Sequence, residues 1–345
     1  MDVLVTGGNG FVGRHLVQAL RERGDSVRVL ALPSENTSWL EQRGIAVYRG
    51  DVRDQETLLP PMRGVKAVFH LAAMMDVWRP LHEYRAVNVT GTQNVCNAAL
   101  AADVHRLIHM SSSSVYGMGL RLPADETFPL RPFRDPYPMT KAEGDMLVHA
   151  MMRDHRLPAV VIRPDQIFGP GDHLHFGQMA DRLRAGKSII VGSGRNAMPF
   201  VFVTDVVNGL LLALDHPRAL GRTYNITNDH PMTQAGFLSA IAHEIGVTPP
   251  SLHVPYGALY AAAYVAESIA AISGTSRRPP ITRLGVAFFG THNRYAIDKA
   301  RMGLGYIPRV ELRDGVRLTA AWYRQQLAQV PVDAPVSAGT PGRLN

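Results

Sequence analysis

The sequence has a single cysteine, Cys96, among its 345 residues. One cysteine excludes an internal disulfide framework and is typical of proteins in a reducing compartment. No signal peptide is predicted ahead of the first strand, which begins at Asp2. We therefore expect a cytoplasmic protein.

Long hydrophobic runs are also lacking. The longest apolar stretch, residues 256–272, is short for a membrane span and contains Glu267, so no transmembrane helix is predicted. Three roles stay open for this segment. The segment is expected to form a buried helix, to line an apolar substrate pocket, or to make a weak contact with a membrane surface.

Charged residues are few, at 19% of the chain, but the net charge is +7 and the pI is near 9.7. This balance favours anionic ligands or an anionic membrane surface in a general way. The basic residues are scattered and form no run interleaved with aromatic residues, which argues against nucleic-acid binding. His173 and His175 lie two apart without cysteines or a carboxylate cluster, so no metal site is predicted.

What the sequence does contain is a series of apolar, β-branched runs at the spacing of βα units. They are residues 3–6, 27–30, 45–48, 67–71, 107–110 and 159–163. Segments of helical period separate most of them. Continuous apolar strands that alternate with helices indicate a parallel sheet covered on both faces. The sequence therefore predicts an α/β fold built on a doubly wound parallel sheet of the Rossmann type.

The pattern loosens after residue 165, where loops rich in glycine and proline alternate with helix candidates. These candidates lie near 205–214, 234–246, 256–272 and 312–328. We expect a dinucleotide-binding domain over residues 1–170, with a strand near 224–227 that returns to its sheet. A smaller, partly interleaved substrate lobe is predicted over 171–330. Residues 331–345 have the composition of a flexible tail.

The run "VLVTGGNGFVGRHLV" leads from the first strand through a glycine-rich turn into a helix. Gly8, Gly10 and Gly13 form the pattern G-x-G-x-x-G. The first glycines allow a tight turn and close approach to a phosphate, and Gly13 allows the helix to pack against the strand. The helix N-terminus then faces the pyrophosphate with free N–H groups. We therefore predict dinucleotide binding here.

The acidic residue expected at the end of the second strand is absent, because "VRVL" runs into Ala31 and Leu32. No carboxylate is then placed to bind the adenosine ribose 2′-OH, which leaves NAD and NADP open. Four other side chains could surround a 2′-phosphate, so the expectation leans slightly to NADP: Arg14, Arg28, Ser34 and Asn36. Asp51, after the third strand, is predicted either to meet the adenine edge or to cap a short helix, or to do both.

Residues 134–145, "RDPYPMTKAEGD", place Tyr137 and Lys141 four apart where a helix is predicted to begin. Pro138 suits the first helical position. Residues four apart share a helix face, but this spacing alone favours an ordinary surface pair. The fifth strand ends in "HMSSSSVYG", and hydroxyl groups at the carboxyl end of a parallel strand lie where such sheets bind ligands. A serine-rich turn or a helix cap is the alternative.

Several motifs occur together over residues 1–172: "TGGNGFVG", "GDV", "VFHLAA", "NVTGTQNV", "SSSSVYG", "YPMTK" and "RPDQIFGPGD". In this order they resemble the extended short-chain dehydrogenase/reductase family, also called the NAD-dependent epimerase/dehydratase superfamily. The resemblance implies that Ser112 assists catalysis, that Tyr137 is the acid/base, and that Lys141 binds the nicotinamide ribose and lowers the phenol pKa. A phenol with a pKa of about 10 needs such help to act as a base at neutral pH.

The resemblance also implies which residues contact the dinucleotide. They are Gly7, Gly8, Gly10, Phe11, Val12, Gly13, Asp51, Val52, Leu71, Ala72, Ala73, Asn88, Tyr137, Lys141, Pro164 and Ile167. Relatives pair through the helices after the fourth and fifth strands, here roughly 81–102 and 137–153, so a homodimer is expected. The second of these helices carries Met139, Met146, Leu147, Ala150 and Met151.

The substrate is expected to be a small hydrophobic molecule. Met198 stands where nucleotide-sugar enzymes of the family often carry an arginine for the diphosphate. The segment from 254 to 316, with "PPITR" and "YAIDKARMGLGYIP", resembles the 3β-hydroxysteroid dehydrogenase branch. We therefore expect an NAD(P)-dependent oxidoreductase that interconverts a secondary alcohol and a ketone on a 3β-hydroxysteroid or β-ketoacyl compound. A nucleotide-sugar epimerase or dehydratase, and a non-catalytic NAD(P) sensor, are the alternatives.

Overall fold

The central sheet of the protein has seven parallel strands. The structure is a computed structural model that describes residues 1–75, 77–120 and 122–329. Six of these strands are β1 (Asp2–Thr6), β2 (Ser26–Ala31), β3 (Ala46–Arg49), β4 (Ala67–His70), β5 (Arg106–Met110) and β6 (Ala159–Pro164). The seventh is β11 (Thr223–Ile226). The strands outside this sheet are β7 (Gln166–Phe168), β8 (Ile190–Val191), β9 (Ala197–Met198), β10 (Phe200–Phe202), β12 (Met232–Thr233) and β13 (His253–Val254).

The helices cover both faces of this sheet and build the second lobe. They are α1 (Phe11–Glu22), α2 (Ser38–Glu41), α3 (Leu59–Met62), α4 (Leu81–Arg85), α5 (Thr92–Ala101), α6 (Pro136–His155), α7 (Gln178–Arg184), α8 (Val203–Asp215), α9 (Gln234–Glu244), α10 (Tyr256–Ile272), α11 (Arg283–Gly290), α12 (Asp298–Leu304) and α13 (Leu312–Gln329). A π-helical turn, Ala86–Gly91, joins α4 to α5.

Side chains of the sheet alternate between two apolar cores, as the period of a β-strand requires. In β1, Val3 and Val5 face the core that contains α1 and α8, whereas Leu4 faces the core that contains α5 and α6. Strands buried on both faces explain why the runs in the sequence are continuously apolar. The predicted doubly wound parallel sheet is confirmed.

The strand order is β3-β2-β1-β4-β5-β6-β11. The order reverses between β1 and β4, and ligands of doubly wound sheets bind at such a point, beyond the carboxyl ends of the strands. The glycine-rich turn follows β1, and Leu71–Ala73 follows β4. Both segments therefore lie at the predicted dinucleotide site.

The second lobe is built from short strand pairs and the helices around them. β7 pairs with β10 and β8 with β13 in parallel, and β9 pairs with β12 in an antiparallel fashion. β11 lies in the chain between elements of this lobe but pairs with β6 of the large sheet. The two lobes are therefore interleaved. The boundaries at residue 170 and residue 330 stay predictions, and the predicted tail lies outside the described residues.

Candidate active site

The glycine-rich turn holds the N-terminus of α1 against the end of β4. Gly7 has a φ of +71°, and a Cβ there would lie 2.7 Å from the backbone nitrogen of Ala72. A Cβ on Gly13 would lie 2.1 Å from the Gly7 carbonyl oxygen. Within the described chain no side chain caps α1, so the N–H groups of its first turn remain for a ligand. The same turn contains the other predicted contacts Gly8, Gly10, Phe11 and Val12.

Asn88 ties the loop after β4 to helix α6. Its Oδ1 accepts from the Met74 N–H at 2.8 Å, and its Nδ2 donates to the Met74 carbonyl at 3.0 Å and to Thr140 Oγ1 at 3.0 Å. Asn88 is buried in the π-helical turn, a feature that often marks functional sites. Both ends of the Asn88 amide therefore bond within the protein and fix Met74, the residue that follows the predicted cofactor loop Leu71, Ala72 and Ala73.

Asp51 and Val52 follow β3. The Asp51 carboxylate is paired with the Arg53 guanidinium at 2.6 Å and also accepts from the Arg53 N–H. Burial acts to raise the pKa of Asp51, but the hydrogen bonds and charge of Arg53 outweigh it and hold this pKa below its ordinary value. Val52 is buried in the core that contains α5 and α6. The predicted contact of Asp51 with the adenine edge stays a prediction, and Arg53 would share the carboxylate.

The loop after β2 contains a carboxylate that sequence reasoning missed. Glu35 Oε2 accepts from Asn9 Nδ2 of the glycine-rich turn at 3.1 Å. Arg14 donates to the Asn9 carbonyl at 2.9 Å, and its guanidinium lies 4.8 Å from the centre of the Trp39 ring. Arg43 lies 5.8 Å from the same ring. Two cations and one carboxylate therefore surround the end of the turn where the adenosine ribose is predicted.

The expectation that Arg28 lies beside a 2′-phosphate is wrong. Its guanidinium donates to the carbonyls of Pro61 and Arg63 at 3.1 and 2.7 Å. Arg28 sits in the middle of β2, so its side chain points across a face of the sheet and away from the carboxyl edge. Ser34 and Asn36 are exposed in the loop after β2.

Helix α6 begins at Pro136 rather than at Pro138. Asp135 caps the helix by accepting from the Tyr137 N–H at 3.1 Å, and Pro136 takes the first helical position. A carboxylate cap followed by proline is a stronger start signal than proline alone, which explains the shift of two residues. Tyr137 therefore lies half-buried in the first turn of α6.

Lys141 connects α6 to the end of β5. Its Nζ donates to the Met110 carbonyl at 2.7 Å, and the side chain is 5% exposed. Burial lowers the pKa of Lys141 to about 8, and the charge of Asp145 opposes this shift. The chain runs from Met110 into Ser112, whose Oγ accepts from the Ser114 N–H at 3.1 Å. The bond between Lys141 and Met110, not this local one, brings the strand end that carries Ser112 to the helix that carries Tyr137.

A buried ion pair, Asp145 with Arg163, lies one helical turn beyond Lys141. The two groups meet through two hydrogen bonds of 2.7 and 2.9 Å, and Ser111 Oγ donates to Asp145 Oδ2 at 2.5 Å. Burial acts to raise the pKa of Asp145, but the bonds from Arg163, with those from His149 and Ser111, hold it well below its ordinary value. The spacing of Asp145, four residues after Lys141, is the sequence signal that could have revealed it.

Two buried histidines, His70 and His109, lie on neighbouring strands with their rings 5.4 Å apart. Burial, followed by the charge of Lys141, lowers the pKa of His70 to about 3 and that of His109 well below its ordinary value. Both rings are therefore neutral near pH 7. The positive charge that acts on both rings is that of Lys141.

Pro164 ends β6, and Ile167 lies in the short strand β7 that follows. Between them, Asp165 is a buried carboxyl group close to Ser113. Burial raises the pKa of Asp165 to about 8, although hydrogen bonds from the Gln166 N–H and from Ser113 act to lower it. The group is therefore largely protonated at neutral pH.

The two histidines considered for a metal have other contacts. The His173 ring packs against Trp322 with a centroid distance of 4.7 Å, and His175 Nδ1 lies 3.6 Å from Asp172. Across residues 1–75, 77–120 and 122–329, no three His, Cys, Asp or Glu side chains come together in a way that could hold a metal ion.

In the second lobe, Met198 is fully buried in the core, so its position offers no polar group to a diphosphate. Arg195, three residues earlier, is exposed.

Helix α10 is far less buried than the interpretation as a core helix requires, because Val265, Ile269 and Ile272 are all exposed. No helix in the described part of the chain has the length and apolar character needed to cross a bilayer.

The observed residues fit a dinucleotide. Positions Gly7 and Gly13 leave space that any Cβ would fill, and the uncapped N-terminus of α1 lies beside them. Side chains that suit a nicotinamide ribose and a reacting oxygen, Lys141 and Tyr137, lie on α6 beside the carboxyl end of β5. Such an arrangement combines a cofactor cradle with an acid/base group.

Known proteins share this architecture. The model of the NAD dependent epimerase/dehydratase family matches residues 3–227. The 2-alkyl-3-oxoalkanoate reductase of Stenotrophomonas maltophilia (strain K279a) is 31% identical over 325 residues, which cover 92% of this chain and 98% of the relative. The sterol-4-alpha-carboxylate 3-dehydrogenase, decarboxylating, of Mus musculus is 32% identical over 326 residues, which cover 91% and 89%. The crystal structure of gox2253 has a TM-score of 0.80 at 32% identity and covers 94% of this chain and 98% of that chain.

The family model covers well over half of the chain, and the relatives align with it almost from end to end. Their similarity extends through the second lobe, where sequence motifs alone were more diffuse. The chain is therefore an NAD(P)-dependent enzyme that belongs to the extended short-chain dehydrogenase/reductase family, in its 3β-hydroxysteroid dehydrogenase-like branch.

Proposed function

We propose that the enzyme interconverts a secondary alcohol and a ketone on a hydrophobic substrate that has its reacting oxygen at carbon 3. The observation that supports this most directly is the bond from Lys141 Nζ to the Met110 carbonyl, at 2.7 Å. It joins the helix of the acid/base candidate Tyr137 to the strand end that carries the hydroxyl of Ser112. A non-catalytic nucleotide sensor would not need these three groups beside its glycine-rich turn.

In reduction, Tyr137 gives its phenolic proton to the substrate oxygen, and in oxidation it takes the proton back. A nicotinamide cofactor, when bound at the glycine-rich turn, would supply or accept the hydride. Ser112 donates a hydrogen bond to the same oxygen and so fixes it beside the phenol. The Lys141 ammonium favours the phenolate and brings the pKa of Tyr137 toward the working pH. Asn88 connects the segment after the cofactor loop to α6, and the Met110 carbonyl holds the Lys141 side chain at the end of β5.

The names of the two relatives suggest a narrower substrate class. One acts on a 2-alkyl-3-oxoalkanoate and the other is a 3-dehydrogenase for a sterol-4-alpha-carboxylate. In both names the carboxylate is attached to the carbon next to the oxygen-bearing carbon 3. We therefore place a hydrophobic 3-keto or 3-hydroxy carboxylate first among candidate substrates of this chain, ahead of neutral steroids.

We place only the carboxylate end of such a substrate in a cleft of about 170 Å³ at the carboxyl end of β11, because this volume is below that of a whole ligand pocket. Its lining includes two arginines and two aspartates. Arg294 and Tyr295 line it, and Tyr295 also lies close to Ser113, in the turn that begins at Ser112. Arg294 can supply the cation that a carboxylate needs. A nucleotide sugar is the second candidate because of the family name, but buried Met198 provides no clamp for its diphosphate.

We predict that net change in reduced nicotinamide accompanies turnover of 3-keto or 3-hydroxy carboxylates with long alkyl or ring substituents. The free acids should be preferred to their methyl esters, because only the acids can pair with a cation. In Arg294→Met this preference should fall by about tenfold, since a charge-assisted bond is worth roughly 1.5–3 kcal/mol. The measurement is kcat/KM for acid and ester pairs with NADH, NADPH and their oxidised forms.

Turnover of a UDP- or dTDP-sugar with no net redox change, while every apolar compound is inert, would assign the chain to the epimerases. An unchanged preference for acids in Arg294→Met would leave the oxidoreductase function intact and remove Arg294 from substrate binding.

Cofactor choice is proposed to lean to NADP. Arg14 and Arg43 bring two positive charges to the predicted ribose position, against the single carboxylate of Glu35. Arg28 does not contribute to this positive charge, so the expected preference for NADP over NAD is smaller, but NADP is still favoured. The NADPH and NADH arms of the same assay measure it directly.

We also propose a homodimer formed through α4, α5 and α6. Met139, Leu147 and Ala150 are partly exposed, and Met146 is 53% exposed. The expectation that Met151 contributes is wrong, because it is buried in the core of its own chain. We expect a dimer mass in light scattering at micromolar concentration and a shift toward monomer in Met146→Asp. A monomer mass for the wild type would contradict the proposal.

A further inference from the structure

Helix α10 presents an uncharged apolar stripe to solvent. Val265, Ile269 and Ile272 are 55, 62 and 87% exposed. Ala258, Ala261 and Ala262 extend the stripe toward the start of the helix, at spacings of three and four residues that keep them on one face. Only the opposite face is anchored, because Leu259, Ala263 and Ala270 are buried.

The single charged residue of α10 is kept away from this stripe. Glu267 has an 11% exposed side chain and accepts from both the N–H and the guanidinium of Arg283. The Ser268 hydroxyl is also satisfied, since it donates to the Tyr264 carbonyl at 2.8 Å. The exposed stripe therefore offers apolar surface with its polar groups already paired.

Basic residues border the end of the helix. Arg277 and Arg278, in the segment after Ile272, are exposed. Arg182 of α7 donates to the Pro280 carbonyl at 2.9 Å, which brings a third cation to the same segment. An apolar helix face with cations at its border is the arrangement of helices that lie in the interface of an anionic bilayer.

We propose that this α10 face docks on anionic lipid, with the stripe in the headgroup region and the arginines on lipid phosphates. A second copy of the chain is a poorer occupant, because a symmetric contact would bring two basic borders of a protein with net charge +7 together. The chain runs from α10 through the separate helix α11 to Tyr295, which lines the cleft near Ser113. Docking would therefore hold the substrate lobe at a surface where apolar substrates partition.

The test is flotation of the full chain with vesicles of phosphatidylcholine alone and of phosphatidylcholine with phosphatidylglycerol. We expect binding to the anionic vesicles, weaker binding in high salt, and little binding to the neutral vesicles. The double variant Ile269→Asp with Ile272→Asp should lose at least about tenfold in binding. Arg277→Ser with Arg278→Ser should weaken binding and reduce its dependence on salt.

A matched control adds the same charge elsewhere. Met302 and Ile307 are 79 and 62% exposed outside α10, so Met302→Asp with Ile307→Asp should bind within about twofold of wild type. Equal losses in the two double variants, or no binding of wild type to anionic vesicles, would overturn the proposal. So would self-association that disappears in the α10 variant while vesicles have no effect, because the face would then belong to a second copy. These readouts are independent of turnover and of the proposed substrate.

Discussion

Tyr137→Phe is expected to retain affinity for the dinucleotide and to lose turnover by about 10²–10⁴-fold, the usual contribution of a positioned acid/base group. The ring lies half-buried in the first turn of α6, so phenylalanine keeps its packing and removes only the hydroxyl. The cradle at Gly7 and Gly13 is built from backbone and does not depend on this hydroxyl. The measurements are kcat with a hydrophobic 3-keto substrate and the dissociation constant of NADPH.

Tyr323→Phe is the matched control for this prediction. It also removes a phenol, one that donates to Asp181 at 2.5 Å in the contact between α13 and α7. We expect its turnover to stay near that of wild type. Near-normal turnover in Tyr137→Phe would remove Tyr137 from the mechanism, whereas equal losses in both variants would indicate a structural effect. Lys141→Ala should differ from both, because it weakens cofactor binding and rate together.

Asp145→Asn is expected to lower the free energy of unfolding by about 3–5 kcal/mol, because it leaves the buried Arg163 guanidinium without its counter-charge. Arg163 is 4% exposed and bonds both carboxylate oxygens. The pKa of Asp145 is lower in the folded protein than in the unfolded chain. The ion pair therefore contributes its full stabilisation at pH values above the pKa of the unfolded chain. This contribution is lost as the pH falls through the pKa of the folded protein. Urea unfolding at neutral pH measures the difference.

Asp154→Asn gives the comparison for an exposed pair. Its carboxylate is 51% exposed and bonds Arg153 in a similar two-point geometry. Solvent screens this pair, so its loss should change the free energy of unfolding far less than loss of the buried pair does. Replacing both buried partners, by Asp145→Leu with Arg163→Met, should recover part of the stability lost in Asp145→Asn. Equal costs for the buried and exposed variants would show that Arg163 finds another partner.

The elements that sequence predicted well are those whose signal is local. The run "VLVT" followed by Gly8, Gly10 and Gly13 specifies a strand, a turn and a helix within fifteen residues, and the structure has all three. The hydroxyl, phenol and ammonium of Ser112, Tyr137 and Lys141 were identified from family motifs. Their roles stay predictions, although the Lys141 bond to β5 shows that the two segments meet.

The partners that sequence reasoning missed depend on contacts between distant segments. Asp145 and Arg163 lie eighteen residues apart and meet only because α6 crosses β6. Glu35 reaches the glycine-rich turn only because the loop after β2 folds back toward Asn9. Helix α10 has the composition of a buried helix, yet its environment is decided by which neighbours cover it. Burial of this kind cannot be read from composition.

The activity proposed for this enzyme is net hydride transfer to carbon 3 of a hydrophobic substrate, with Tyr137 as proton donor. Its most direct test uses NADPH and NADH with deuterium at the transferring position and a 3-keto carboxylate as substrate. We predict one deuterium on carbon 3 of the product alcohol for each oxidised cofactor formed, and loss of this transfer in Tyr137→Phe. Product without deuterium at carbon 3, or turnover with no oxidised cofactor, would contradict it.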